Sequence, residues 1–204
     1  MFIIGIDASI NGSGIVKFEV DNDGEIISRD YLSFTSVLKR EAEKVKFWHP
    51  KKSFSSEYEK FRWMHSHILD FIPKGSIVGI EDYALGGKGK VFNIAEFTGI
   101  LKHKLIYEHD CKLKPFPPSS IKHYFSGNGS ADKVIMTDEY LKDDILNIGF
   151  MDKYRSPQND LVDAYAIGTI IFDEVINPSK IKAYINDNKK LKGAKVFNAP
   201  YLTK

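Results

Sequence analysis

Two short apolar runs, each ending in an acid, constrain this chain more than anything else in it. Ile3-Ile4-Gly5-Ile6 runs into Asp7, and Ile77-Val78-Gly79-Ile80 runs into Glu81. Neither run alternates polar with apolar residues, so each predicts a strand buried on both faces, as in the middle of a sheet. A carboxylate at the end of such a strand is poorly placed for packing and well placed for chemistry. After Asp7 the chain breaks into a small polar turn containing Ser9, Asn11 and Gly12 and ending at Gly14.

The rest of the chain supplies the frame for these two strands. Gly14 to Val20 reads as a strand, Asp21-Asn22-Asp23-Gly24 as a hairpin turn, and Glu25 to Thr35 as a third strand. The opening is therefore an antiparallel three-strand meander. A basic stretch over 36–53, containing Trp48, predicts a loop with some helix. Ser53 to Ser56 offers caps for a helix reaching Ile72, with Tyr58, Phe61, His65, Ile68 and Ile72 on one stripe. A glycine- and lysine-rich loop over 86–90 follows the second acidic strand, then a helix from Val91 to His109 and a strand from Lys112 to Phe116. A short helix bears Lys122, and Ser130 is a candidate cap for another over Ala131 to Leu146. Ser156 and Pro157 announce a last helix that runs to Val175 with Asp160 and Asp163 in its first turns. Beyond Asn177-Pro178 the chain is lysine-rich and weakly periodic. The expected organisation is one domain over 1–176 and a loosely attached basic tail over 177–204. The alternation of strands and helices makes the fold class α/β with a mixed sheet.

Asp160 and Asp163 are three apart, so both lie on one helix face. Each acid alone has an ordinary explanation: helix starts favour carboxylates, and strand-end acids pair with lysines. Together they point elsewhere. Strand ends in one sheet are close neighbours, and a helix packed across them adds a third and fourth carboxylate. Four ionised carboxylates share a site only where cations compensate them. Oxygen-only donors suit Mg²⁺ or Mn²⁺, and a pair of such ions roughly 4 Å apart is a general device for displacement at phosphorus. His65 and His67 have no acid partner at ligand spacing and read as structural or surface residues.

At this level the chain resembles the RuvC-type Holliday-junction resolvases of the RNase H-like (integrase-like) nuclease superfamily. Four islands carry the resemblance in the family's order: Gly5-Ile6-Asp7 with its turn to Gly14, Ile80-Glu81, Ile121-Lys122 with Gly127-Asn128-Gly129-Ser130-Ala131-Asp132-Lys133, and Pro157 to Ala164. The resemblance spans about residues 1–175. It implies an RNase H-like mixed sheet, the meander followed by parallel strands, flanked by helices. It implies that Asp7, Glu81, Asp160 and Asp163 bind two Mg²⁺ ions, with Mn²⁺ as a substitute, and that Lys122 and Lys133 contact the scissile phosphate. It further implies a homodimer that nicks opposed strands of a four-way DNA junction symmetrically, leaving 5′-phosphate and 3′-hydroxyl ends. No small-molecule cofactor is expected.

The chain also departs from the family. Where the family often has a stacking phenylalanine after the second acid, this sequence has Asp82-Tyr83-Ala84-Leu85. Tyr83 is a candidate to stack on a base, and Lys88 and Lys90 are candidates to track the DNA backbone. Alternatives to junction resolution are a related nuclease acting on broader branched or flap DNA, and a junction-binding protein that does not cut. An actin-like or sugar-kinase ATPase shares the opening hairpin, but needs two copies of it and a much longer chain.

Net charge is only +2, but it is segregated: Lys39, Arg40, Lys44, Lys46, Lys51 and Lys52 crowd one stretch, and lysines dominate from Lys180 onward. Such a distribution suits a polyanionic partner. Cys111 is the only cysteine, consistent with a reducing compartment. No secretory signal or membrane span is legible. The expected location is the cytoplasm, that of a host cell if the chain is phage-encoded, an origin its compactness and lack of a visible partner motif suggest.

Overall fold

The structure, a computed structural model, describes residues 1–35, 48–50, 53–82, 91–142, 158–187 and 200–203. The strands are β1 (Phe2–Asp7), β2 (Gly14–Val20), β3 (Ile26–Thr35), β4 (Trp48–Pro50), β5 (Ile77–Glu81) and β6 (Lys112–Phe116). The helices are α1 (Glu57–Phe71), α2 (Val91–Tyr107), α3 (Pro118–Ser126), α4 (Lys133–Lys142), α5 (Gln158–Ile176) and α6 (Pro178–Asp187). The sheet order is β4-β3-β2-β1-β5-β6. The β1–β2–β3 meander is antiparallel, while β5 joins β1, β6 joins β5 and β4 joins β3 in parallel. The two runs that end in acids are thus neighbours at the centre of a mixed sheet, as their unbroken apolar character predicts.

Side-chain alternation splits the core into two layers. Ile4, Ile6, Val78 and Ile80 face α1 and α2. Ile3, Val16 and Phe18 face the other way, where α5 lies with α3, α4 and α6 around it. Helix α5 is apolar on almost every side, with Leu161, Ala164, Ile167, Ile170 and Ile171 all fully buried. It crosses β1, β2 and β5, and glycines make the crossing close. A Cβ at Gly5 would lie 2.0 Å from the Ala164 carbonyl oxygen, and one at Gly14 2.1 Å from that of Asp160. Gly79, paired with Gly5 in the sheet, leaves the space that Ile167 and Ile171 occupy.

Local signals act as expected at several boundaries. Asp21 Oδ1 accepts from the backbone N–H groups of Asp23 and Glu25 in the hairpin turn, where Gly24 takes φ 86°. The Ser56 hydroxyl caps α1 by accepting from the Glu59 N–H at 3.2 Å. Three details differ. Helix α4 is capped by Asp132 rather than Ser130: its carboxylate accepts from the N–H groups of Val134 and Ile135, both at 3.0 Å. Within the basic stretch, residues 48–50 form an edge strand instead of loop or helix. And the start of the region expected to be a loose tail folds as α6.

Helix α6 is held because Ile181, Tyr184 and Ile185 recur at helical spacing and pack on the α5 layer. Lys180 Nζ bonds the buried Asp173 carboxylate at 2.6 Å, which also accepts from the Tyr124 hydroxyl at 2.8 Å. Further on, Leu202 exchanges both backbone hydrogen bonds with Leu113 of β6, at 2.7 and 3.0 Å. The Tyr201 hydroxyl donates to Glu174, which also pairs with the buried Lys114. No helix among the described residues is long and apolar enough to cross a membrane.

Candidate active site

The carboxylate ends of β1 and β5 lie side by side. Ile6 pairs with Ile80, so Asp7 and Glu81, the next residues, stand on adjacent parallel strands with the usual spacing of about 4.8 Å. On the other side, Asp7 pairs with Gly14 of β2. At Gly14 the first turn of α5 also comes close to the sheet, at the Asp160 carbonyl. Helix α5 therefore begins its run over the sheet directly above Asp7, bringing Asp160 and Asp163 with it. All four acids are half-buried, open to solvent on one side and surrounded by protein on the others.

The electrostatics follow from this crowding. Burial, then repulsion from Glu81, Asp163 and Asp160, raises the Asp7 carboxyl well above the carboxylate range, and the Lys133 ammonium only partly offsets it. Burial and the neighbouring Asp163 push Glu81 up to about 7 against the opposing pull of Lys122. Burial raises Asp163 to about 6 although Lys122 and Lys133 both favour its ionised form, with Asp160 adding to the rise. The structure thus brings together Asp7, Glu81, Asp160 and Asp163, with Lys122 from α3 and Lys133 from the start of α4 close enough to act on them.

The donor set fits a hard divalent cation. It is all oxygen, it carries more negative charge than two lysines balance, and its groups are pushed toward the protonated form that a cation would reverse. Among the described residues, no three acid, imidazole or thiol side chains stand ready to clasp an ion as they are.

Neighbouring acids are excluded by their own partners. Asp82 turns to Lys102, at 3.2 Å, and Asp132 is spent on capping α4. The turn after Asp7 is braced internally, because the buried Ser13 hydroxyl donates to the Ser9 carbonyl at 2.6 Å and accepts from the Ser9 N–H. His65 is structural, as expected: it is buried, its Nε2 bonds the Phe97 carbonyl at 3.0 Å, and desolvation lowers its imidazole to about 4. Tyr83, Lys88 and Lys90 lie outside the described residues, as do Ser156 and Pro157. Sequence reasoning passed over Asn159, a buried amide one helical turn before Asp163. That i, i+4 spacing was its only signal.

Solved structures match this architecture over most of its length. RuvC from Thermus thermophilus is 19% identical, with a TM-score of 0.51, covering 87% of this chain and 97% of that one. This chain has the RuvC fold. The same bacterium's RuvC in complex with a Holliday junction substrate gives a TM-score of 0.54 at 14% identity, over 87% and 94% of the two chains. A Fowlpox virus resolvase bound to Holliday junction DNA gives 0.52 at 11% identity, over 86% and 99%. No family model matches the sequence, and no curated protein matches it. The RuvC fold accounts for the meander, the parallel pair that follows and the late helix across them.

Proposed function

We propose that this chain is a divalent-metal-dependent endonuclease that resolves four-way DNA junctions by paired, symmetric nicking. The observation that carries the proposal is the convergence of Asp7, Glu81, Asp160 and Asp163, flanked by Lys122 and Lys133, on a fold shared with proteins solved on Holliday junction DNA. In this proposal Asp7 is the central ligand, with Glu81 on one side and the α5 acids on the other, and the four hold two Mg²⁺ or Mn²⁺ ions. Bound there, the ions would lower the pKa of an attacking water and stabilise the leaving oxygen.

The chain's own groups do the rest. Lys122 and Lys133 neutralise and orient the phosphate, since each already acts on the acid cluster from a helix packed beside α5. The half-burial of the acids limits water to the side from which the strand enters. Tyr83, Lys88 and Lys90 are proposed DNA contacts beyond the site itself. Symmetric nicking requires two copies of the chain. Exposed apolar residues along α2, namely Phe92, Ile100 and Tyr107, supply a face that a second copy would cover. A DNA substrate and a single cysteine support a cytoplasmic location, in its own cell or in a host, as part of this reading.

The test is cleavage of a synthetic four-way junction in Mg²⁺, set against linear duplex, flap and Y-shaped DNA of the same sequence. Paired nicks at symmetric positions, confined to the junction, are expected. Equal cutting of flaps would replace junction resolution with a broader branched-DNA activity, and binding without cutting in Mg²⁺ or Mn²⁺ would remove the nuclease.

A further inference from the structure

Two polar side chains open α5 without a hydrogen bond between them. Gln158 and Asn159 are 1% and 2% exposed, and neither the amide nitrogen nor the oxygen of either has a partner among the described residues. Burying an amide unpaired works against folding, so native chains rarely keep one without a use for it. The two differ in direction. Asn159 lies one turn before Asp163 on the same helix face, the face on which Asp163 meets the fields of Lys122 and Lys133. Gln158 lies one turn before Val162, on the side where Tyr165 packs edge-on against Tyr140 of α4.

We propose that Asn159 is a substrate-binding residue, its amide kept unpaired for a phosphodiester that enters beside Asp163. Its NH₂ donates to a nonbridging phosphate oxygen, and its carbonyl oxygen accepts from water hydrating the bound cation. The proposal rests on the nuclease assignment above. A phosphodiester offers only acceptors, and a bound Mg²⁺ keeps several waters that need acceptors of their own. An amide serves both without adding charge, whereas a further carboxylate would repel the phosphate. The first turn of a 19-residue helix also turns the positive end of the helix dipole toward an anion. Gln158, on the other face, serves as an internal comparison.

The experiment compares Asn159→Leu with Gln158→Met, both close in shape to the original residue and unable to hydrogen-bond. Three readouts apply: melting temperature without metal or DNA, affinity for a four-way junction in Ca²⁺, and cleavage rate in Mg²⁺. Removing an unpaired buried amide should raise the melting temperature of either variant by about 2–4 °C in a chain of this size. Asn159→Leu alone should also bind the junction about tenfold more weakly and cleave at least tenfold more slowly. Stabilisation combined with lost function is the supporting outcome. A lower melting temperature for Asn159→Leu would mean that the amide is bonded within the fold, and binding and cleavage at wild-type levels would mean that it touches no substrate. Either result overturns the proposal, as does equal loss of function in Gln158→Met. If the wild-type chain cuts no DNA, the nuclease assignment fails by itself, and junction affinity in Ca²⁺ still decides whether Asn159 meets a phosphodiester.

Discussion

Gly14→Ala should separate catalysis from folding more sharply than any change to the acids themselves. Gly14 has no positive φ, so an alanine there meets no backbone strain and slightly favours folding by restricting the unfolded chain. Its cost is purely steric. The added Cβ would sit 2.1 Å from the Asp160 carbonyl oxygen, 2.4 Å from its carbonyl carbon and 2.8 Å from the Leu161 nitrogen. All three are backbone atoms, so no side chain can rotate away, and real Cβ contacts stay beyond 3.0 Å. The first turn of α5 must retreat from β2 by the better part of an ångström. Overpacking of this kind costs about 1–3 kcal/mol, which lowers the melting temperature by about 2–4 °C per kcal/mol. The larger effect is catalytic. Asp160 and Asp163 ride on the turn that moves, while Asp7 stays on the strand, and a misplacement of about 1 Å in a reacting constellation can cost roughly 100-fold. The assay is single-turnover cleavage of a four-way junction in Mg²⁺, beside junction affinity in Ca²⁺ and a thermal melt. A folded protein with near-normal affinity and a rate down by about two orders of magnitude is expected. A wild-type rate in a folded variant would refute the claim that this glycine sets the height of α5 over the sheet.

Other perturbations address the site and the frame separately. Asp7→Asn and Glu81→Gln should abolish cleavage while sparing junction binding in Ca²⁺, and a normal Mg²⁺-dependent rate in either would remove that residue from the proposed metal site. Lys122→Ala should slow single-turnover cleavage by about 10- to 100-fold while changing junction affinity less; an unchanged rate would make it an ordinary surface lysine. The metal-free protein should be more stable at pH 5.5 than at pH 8. Glu81 rises from 4.5 to about 7 on folding, Asp163 rises from 3.8 to about 6, and Asp7 rises too. The native state therefore holds protons that the unfolded chain releases, and stability falls as pH climbs through that window, by a few kcal/mol for the cluster. Saturating Mg²⁺ should raise the melting temperature more at pH 8 than at pH 5.5, and a metal-free melt that is flat with pH would contradict the crowding of the acids. Lys114→Met, which leaves the Glu174 carboxylate without its buried cation, should cost about 2–3 kcal/mol in urea denaturation, toward the low end for a buried pair because Glu174 keeps some access to water.

How much of this was legible in the sequence depended on how far each signal stood out from its background. Asp7 and Glu81 were visible because a carboxylate ending an all-apolar strand has no packing explanation, and Asp160 with Asp163 because helical spacing puts them on one face. Strand β4 was hidden because it is three residues long, lies in a basic stretch and ends in Pro50, and its pairing with β3 is a property of the sheet rather than of those residues. Helix α6 was hidden because lysines dilute the Ile181, Tyr184 and Ile185 period, and its strongest ties, Lys180 to Asp173 and Tyr184 to His123 at 2.5 Å, are tertiary. Ser130 and Asp132 are both good capping residues, and only the backbone path chooses between them. Asn159 is a polar residue at a helix start, where such residues are common, and only its burial sets it apart.

The glycines connect these observations. Gly5, Gly14 and Gly79 occupy three adjacent strands on the face that receives α5, and the first two meet helix backbone rather than side chain. A fold needing only a covered sheet could have used alanine or valine there and set the helix an ångström or more higher, at the ordinary spacing of helix on sheet. The closer seat brings two further carboxylates down to the level of Asp7 and Glu81, an arrangement that burial and repulsion oppose. The height of α5 over the sheet and the crowding of the four acids are therefore set together, and a side chain added at Gly5 or Gly14 reaches the acid cluster through the helix backbone.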